Sequence, residues 1–207
     1  SRAGDALTAL MGTMWLAVDG FLSGDPAAPR WHDELRQRAE TLDLPALGFV
    51  AEAIDVMLLL RAGRFAEAEE LAGQCMVTGS AAGDADATGY YGAHLLCSRW
   101  MQGLGAELIP AVRDLSRDFP QTATVEVYSS AHAMVAASCG LIDEAATVLD
   151  VMKANGPGDG RVGVPRPTSV AMLTAFARIE AAEAVGDTVV VGEQAQWIAP
   201  YAGLPVM

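Results

Sequence analysis

Four glycines, Gly63, Gly103, Gly140 and Gly186, each close a long segment rich in Ala, Leu, Val and Met, and each is followed by another segment of helical periodicity. Their separations of 40, 37 and 46 residues fall in the range of helix-turn-helix units packed in series. The strongest internal match sets Gly63-Arg64-Phe65-Ala66-Glu67-Ala68 beside Gly140-Leu141-Ile142-Asp143-Glu144-Ala145. A Gly there permits the left-handed exit of one helix, the apolar residue plugs the turn, and the Ala lets the next helix approach closely. Gly103-Leu104-Gly105-Ala106-Glu107-Leu108 keeps the Gly and the Glu with Leu in place of Ala, a degenerate copy. A 37-residue shift also sets Tyr91 on Tyr128, Leu104 on Leu141, Glu107 on Glu144 and Val112 on Leu149.

The spacing predicts helix pairs at 46–62 with 65–78, 86–102 with 105–118, 122–139 with 142–154 and 168–185 with 188–199. A pair at 4–22 and 30–43, split by Ser23-Gly24-Asp25-Pro26, brings the expected total to ten helices in five pairs. The expected fold is all-α, a right-handed α-α superhelix forming one domain over 1–207. Its parts are an N-terminal pair at 1–45, three central units at 46–154, a Gly/Pro loop at 155–167 and a C-terminal unit at 168–207. The loop, Asn155 to Pro167, is read either as a connector or as a binding loop carrying Arg161 and Arg166. Val189-Val190-Val191 is the one β-branched run, placed where the last second helix should begin.

A hydrophobic content of 52% in 207 residues can bury a sizeable core, which excludes disorder as the main state. Thirteen basic against 26 acidic residues give a net charge of −13, which repels nucleic-acid phosphates and anionic membrane surfaces. Cys75, Cys97 and Cys139 lie in apolar helical stretches without C-x-x-C spacing, as expected of reduced thiols in a cytoplasmic protein. No apolar stretch approaches the roughly 20 residues of a spanning helix, and no leader-like segment is seen at the N-terminus. A chain opening at Ser1 without Met reads as a piece of a larger protein.

The Gly-x-Phe-x-Glu-Ala turn at 63, echoed at 140, resembles the tetratricopeptide repeat, although Glu52, Asp55, Val56 and Leu59 stand where that repeat has its first-helix signature. Arg61 to Glu69, Tyr91-Gly92-Ala93-His94-Leu95, Gly140 to Ala145 and Ala199-Pro200-Tyr201-Ala202-Gly203 together look like the C-terminal helical region of large bacterial signal-transduction ATPases of the LuxR-type or cyclase-like kind. That resemblance implies a sensor or scaffold arm of a transcriptional regulator whose ATPase and DNA-binding parts lie elsewhere. The chain departs from the family at Gly186-Asp187-Thr188-Val189 and in the connector ending Pro165-Arg166-Pro167, and no functional residue carries over.

Counting back from each Gly in the tetratricopeptide register puts Tyr90, Cys97, Trp100, Met134 and Phe176 on a groove, among mostly apolar neighbours such as Val50 and Met57. Such a groove suits an amphipathic helix or an apolar effector; the alternative is that these are core residues. Trp15, Trp31 and Trp197 read as packing anchors. Arg99 calls for a carboxylate, with Asp55 or Glu52 available. His32, His94 and His132 show no metal-ligand spacing, and no Asp or Glu lies a helical turn from His94 or His132. Cys97 lies one turn after His94, a conceivable nucleophile pair in an apolar helix. Phosphate-loop and G-x-S-x-G patterns are missing from the sequence. The expectation is a non-catalytic protein-interaction or regulatory domain with no cofactor and no metal. The alternatives are an apolar-effector sensor, and an all-helical enzyme built on His94 and His132. An uncapped end would invite a homodimer.

Overall fold

A computed structural model describes the backbone of residues 2–118, 123–155 and 169–203, and the described residues are all-helical with no strand. They form ten α-helices: α1 Arg2–Ser23, α2 Ala28–Thr41, α3 Pro45–Arg61, α4 Phe65–Ala81, α5 Ala87–Met101, α6 Ile109–Asp118, α7 Ala123–Ser138, α8 Ile142–Asn155, α9 Ser169–Val185 and α10 Thr188–Ile198. The Gly/Pro stretch with Arg161 and Arg166 lies outside the described residues.

Two local expectations change. The sixth helix begins at Ile109, after a 3₁₀ turn over Gly105–Leu108, because Pro110 lacks an N–H and fits only the first turn of a helix. The turn also runs close to α7: a side chain at Gly105 would stand 3.2 Å from the Ser138 hydroxyl. The valine run becomes helix in α10. Asp187 caps it, accepting the Val190 N–H at 3.1 Å, so tertiary placement overrides the β-branched preference.

One hydrogen-bond pattern ends seven helical segments. At Gly63 (φ 71°) the N–H donates to the Leu60 carbonyl at 3.0 Å, and the next N–H, of Arg64, reaches back to Leu59 at 3.0 Å. This is the Schellman exit, in which a left-handed residue satisfies carbonyls that the helix end leaves bare. Gly24, Gly83, Gly103, Gly140 and Gly186 repeat it. Asp43 (φ 51°) does so without being a glycine, its N–H bonded to Glu40 and that of Leu44 to Ala39. The sequence reading had four of these exits; Gly24, Asp43 and Gly83 complete the set.

The chain gathers into two compact units, Ser1–Ser98 and Arg99–Gly203, dividing inside α5. In the first, Leu10, Met14, Leu35, Ala39, Leu47 and Ala51 tie α1 and α2 to α3, and Ala17, Phe21, Ala28 and Ile54 extend that contact. On the far side of α3, Phe49, Ala53, Cys75 and Ala87 join α4 and α5, with Val56, Leu60, Ala68 and Ala72 beneath. Gly79 fixes the α3–α4 distance, because a Cβ there would meet the Phe49 ring at 2.6 Å. In the second unit α7 is the hub, packed on α6, α8 and α9. Ala131, Ala133, Met134, Val135, Ala136 and Ala137 are all buried, as a helix covered on several sides requires. Each large buried side chain in these cores stabilises by about 1.5–3 kcal/mol.

Candidate functional site

The first unit brings a histidine, an arginine and two carboxylates together over α3. His32 on α2 is 4% exposed, and its Nε2 stands 2.8 Å from Asp55 Oδ1. Arg36, one turn further along α2, donates to Oδ2 of the same carboxylate. Its guanidinium also lies 3.1 Å from His32 Nε2, but one nitrogen cannot give its proton to Asp55 and accept another from Arg36. The charged acceptor takes the bond, so Nε2 donates to Asp55. Nδ1 is then left buried without a partner, on a ring that meets Phe21 edge-on at 6.0 Å.

Glu52 sits one turn before Asp55. Burial pushes its carboxyl above the ordinary 4.5 and the Asp55 charge adds to that, while Arg36 and a Thr78 hydrogen bond oppose it. Its Oε2 is buried without a partner. Burial also works to raise Asp55, but the hydrogen bonds and charges of His32 and Arg36 outweigh it and hold that carboxyl below its usual 3.8. Both carboxylates border an open cleft of about 480 Å³ whose lining includes Arg36 and the apolar Leu58, Leu59 and Leu71. Beside them the Cys75 thiol is pushed up to about 11, first by burial and then by the two carboxylate charges, so it is not a nucleophile at neutral pH.

A second set of the same three residue classes lies in the other unit. His132 on α7 is 8% exposed, with Nε2 2.6 Å from Glu144 Oε1 on α8. Arg113 on α6 grips that carboxylate at both oxygens, Nε to Oε1 at 2.6 Å and a terminal nitrogen to Oε2 at 2.5 Å. The Arg113 hydrogen bonds, then that of His132, hold Glu144 down to about 2. His132 Nδ1 is again buried and unpartnered. Sequence reasoning missed both sets, because it looked for acids one helical turn from His94 and His132 and sought none at His32. A signal was present for the second set: the turn glutamates that align, Glu67, Glu107 and Glu144, each hold an arginine, namely Arg64, Arg99 and Arg113. The carboxylate found at Arg99 is therefore Glu107, 2.9 Å away, while Asp55 is held by His32 and Arg36.

The five groove candidates are placed as follows. Tyr90, 48% exposed, stands edge-on to Phe49 at 5.6 Å and beside His94 at 6.3 Å. Cys97 is half-buried against the core layer of Val56 and Leu60. Trp100 and Phe176 are brought together edge-on, ring centres 5.7 Å apart. Met134, 5% exposed, belongs to the α7 core. Of the described five, Tyr90 is the most open to solvent. Burial holds His94 down to about 4 and pushes Cys97 up, so each is driven to its neutral form. A thiolate–imidazolium nucleophile needs the reverse of both shifts.

Among the described residues no group of three or more His, Cys, Asp and Glu could hold a metal ion, and no helix is long and apolar enough to cross a membrane. No protein-family model, no curated protein and no solved structure matches the chain.

Proposed function

We propose that this chain is a protein-interaction arm: helix pairs stacked in series as a right-handed superhelix, serving a multidomain bacterial regulator of the LuxR-type or cyclase-like class as sensor or scaffold. The observation that carries this reading is the recurrence of one helix exit in one register. Gly24 to Gly63 spans 39 residues and Asp43 to Gly83 spans 40, and the buried positions repeat with them. Ala28, His32, Leu35 and Ala39 of α2 answer to Ala68, Ala72, Cys75 and Gly79 of α4. Units that share faces in this way build extended surfaces suited to holding another polypeptide. Tyr90, half-exposed and braced by Phe49, is the anchor this reading puts on that surface, since rigid aromatics dominate such contacts.

The test is to recover the reading frame around residues 1–207, express its other segments and titrate them into this chain by calorimetry. Binding of one segment, weakened about tenfold or more by Tyr90→Ala, supports the reading. Absence of binding to every segment, together with tight binding of a metabolite, rejects it.

A second reading, an effector-sensing domain, draws on the α3 cleft. Its volume of about 480 Å³ and its lining of leucines with two carboxylates balanced by Arg36 and Arg64 suit a small amphipathic zwitterion. In a screen of such zwitterions by thermal unfolding, a ligand of the cleft would raise the midpoint of the native chain and leave Glu52→Gln unmoved. An equal rise in both would dismiss the cleft as the site.

A further inference from the structure

The cleft over α3 changes character along the helix. Glu52 and Asp55 border it first, with Arg36 beside them; Leu58 and Leu59 follow, and Ala62 and Arg64 border it last. Glu52, Asp55, Leu59 and Ala62 recur at three- and four-residue steps, which keeps them on one stripe of the helix. Leu71 of α4 packs into the same apolar layer as Leu59. At the first end two carboxylates compete for the available donors. His32 and Arg36 both serve Asp55, while Glu52 Oε2 has no hydrogen-bond partner, so that end is short of a cation. At the last end Arg64 borders the cleft and its own partner, Glu67, does not. Nε and one terminal nitrogen of Arg64 hold Glu67, which leaves the guanidinium a second terminal nitrogen to offer.

We propose, building on the effector-sensing reading of this cleft, that its ligand is an extended zwitterion with its ammonium at Glu52, its carboxylate at Arg64 and an apolar body along the leucines between them. Asp55 and Glu52 stand seven and ten residues before Ala62, which by helical rise separates the two charges by about 10–15 Å. Two kinds of molecule carry that chemistry. One is an apolar peptide with free ends, about three residues long when extended. The other is a straight-chain ω-amino acid. An α-amino acid does not, because its ammonium and carboxylate share one carbon atom and cannot meet both ends at once. Charge fixes the direction as well: reversed, the ligand would set its carboxylate against Glu52 and Asp55 and its ammonium against Arg64.

Calorimetric titration of the whole chain at neutral pH with trileucine, ω-aminooctanoic acid, L-leucine and octanoic acid tests the assignment. At least one of the two long zwitterions should bind about tenfold or more tightly than L-leucine, and than octanoic acid, which lacks the ammonium. The tighter of the two identifies the source as peptide or ω-amino acid, and either order supports the assignment. Glu52→Gln and Arg64→Gln should each weaken the long probe by about tenfold while far-UV dichroism stays as in the parent chain. The probe comparison is made on the parent chain, so it decides even where a variant folds poorly. L-leucine binding as tightly as the long probes, and losing affinity in Glu52→Gln, would overturn the extended zwitterion and leave the effector reading standing. Binding of no probe, or affinities unchanged in both variants, would overturn the two together.

Discussion

The two histidine–carboxylate–arginine sets use the same chemistry with different local surroundings. In the first unit His32 and Arg36 come from consecutive turns of α2 and share Asp55, contributed by the next helix. A second carboxylate, Glu52, crowds Asp55 from one turn away and is pushed toward its neutral form. In the second unit three helices each give one residue, Arg113 closes on both oxygens of Glu144, and the carboxyl falls to about 2. Burial weighs most at Asp55, where it opposes the donors, whereas at Glu144 the Arg113 and His132 hydrogen bonds come first and burial follows them. The depth of burial and the number of donors facing each carboxylate set the difference.

Removing the shared carboxylate is the strongest way to break the comparison. Asp55→Ala and Glu144→Ala each take from a buried imidazole the carboxylate that accepts its proton, and each should lower unfolding free energy by about 1–3 kcal/mol in urea titrations. Removing the arginine comes next: Arg113→Ala should depress the melting temperature more than Arg36→Ala, since it cuts two hydrogen bonds to the carboxylate. Equal depression would mean the second bond adds nothing. Smaller still, Glu52→Gln relieves the repulsion on Asp55 and keeps a group that can bond Thr78, for a gain of about 0.5 kcal/mol at pH 7.

Acid sharpens the comparison further, because Glu52 responds with the opposite sign to Asp55 and Glu144. Glu144, held far below 4.5, contributes stability that is complete above about pH 4.5 and disappears as pH falls toward 2. Asp55 behaves alike below 3.8, whereas Glu52, raised above 4.5, costs stability at neutral pH and is relieved as it protonates. Melting temperatures from pH 7 to 2 should therefore show the deficit of Glu144→Gln shrinking with acid. The advantage of Glu52→Gln should fade as pH falls through its raised pKa and vanish below about 4.5. A constant offset in either variant would contradict the assignment.

Much of the backbone was legible in the sequence. Gly63, Gly103, Gly140 and Gly186 announce helix ends because few other residues adopt positive φ without strain, and the structure places a Schellman exit at each. Asp43 escaped because it performs the same task with a side chain, and Gly83 because Gly and Asp cluster around it. The site was less legible. His132 has no acid one turn away, so no partner for it was read from the sequence; the partner arrives from α8, twelve residues on. Among the aromatic candidates, Trp100 and Phe176 meet although 76 residues separate them, while Met134 is interior.

Helix ends and the apolar period are set by φ preferences and by side chains three and four residues apart, so the chain's own order determined the ten helices. Which carboxylate faces which imidazole, and which apolar stripe is covered, depend on neighbours brought from other helices. Ile54 and Trp15 each stand nine residues before a left-handed glycine, Gly63 and Gly24, yet Ile54 is buried by Ala17, Phe21 and Ala28 while Trp15 is exposed. Only the packed structure decides that, since burial is a property of what lies across the gap and not of the residue itself.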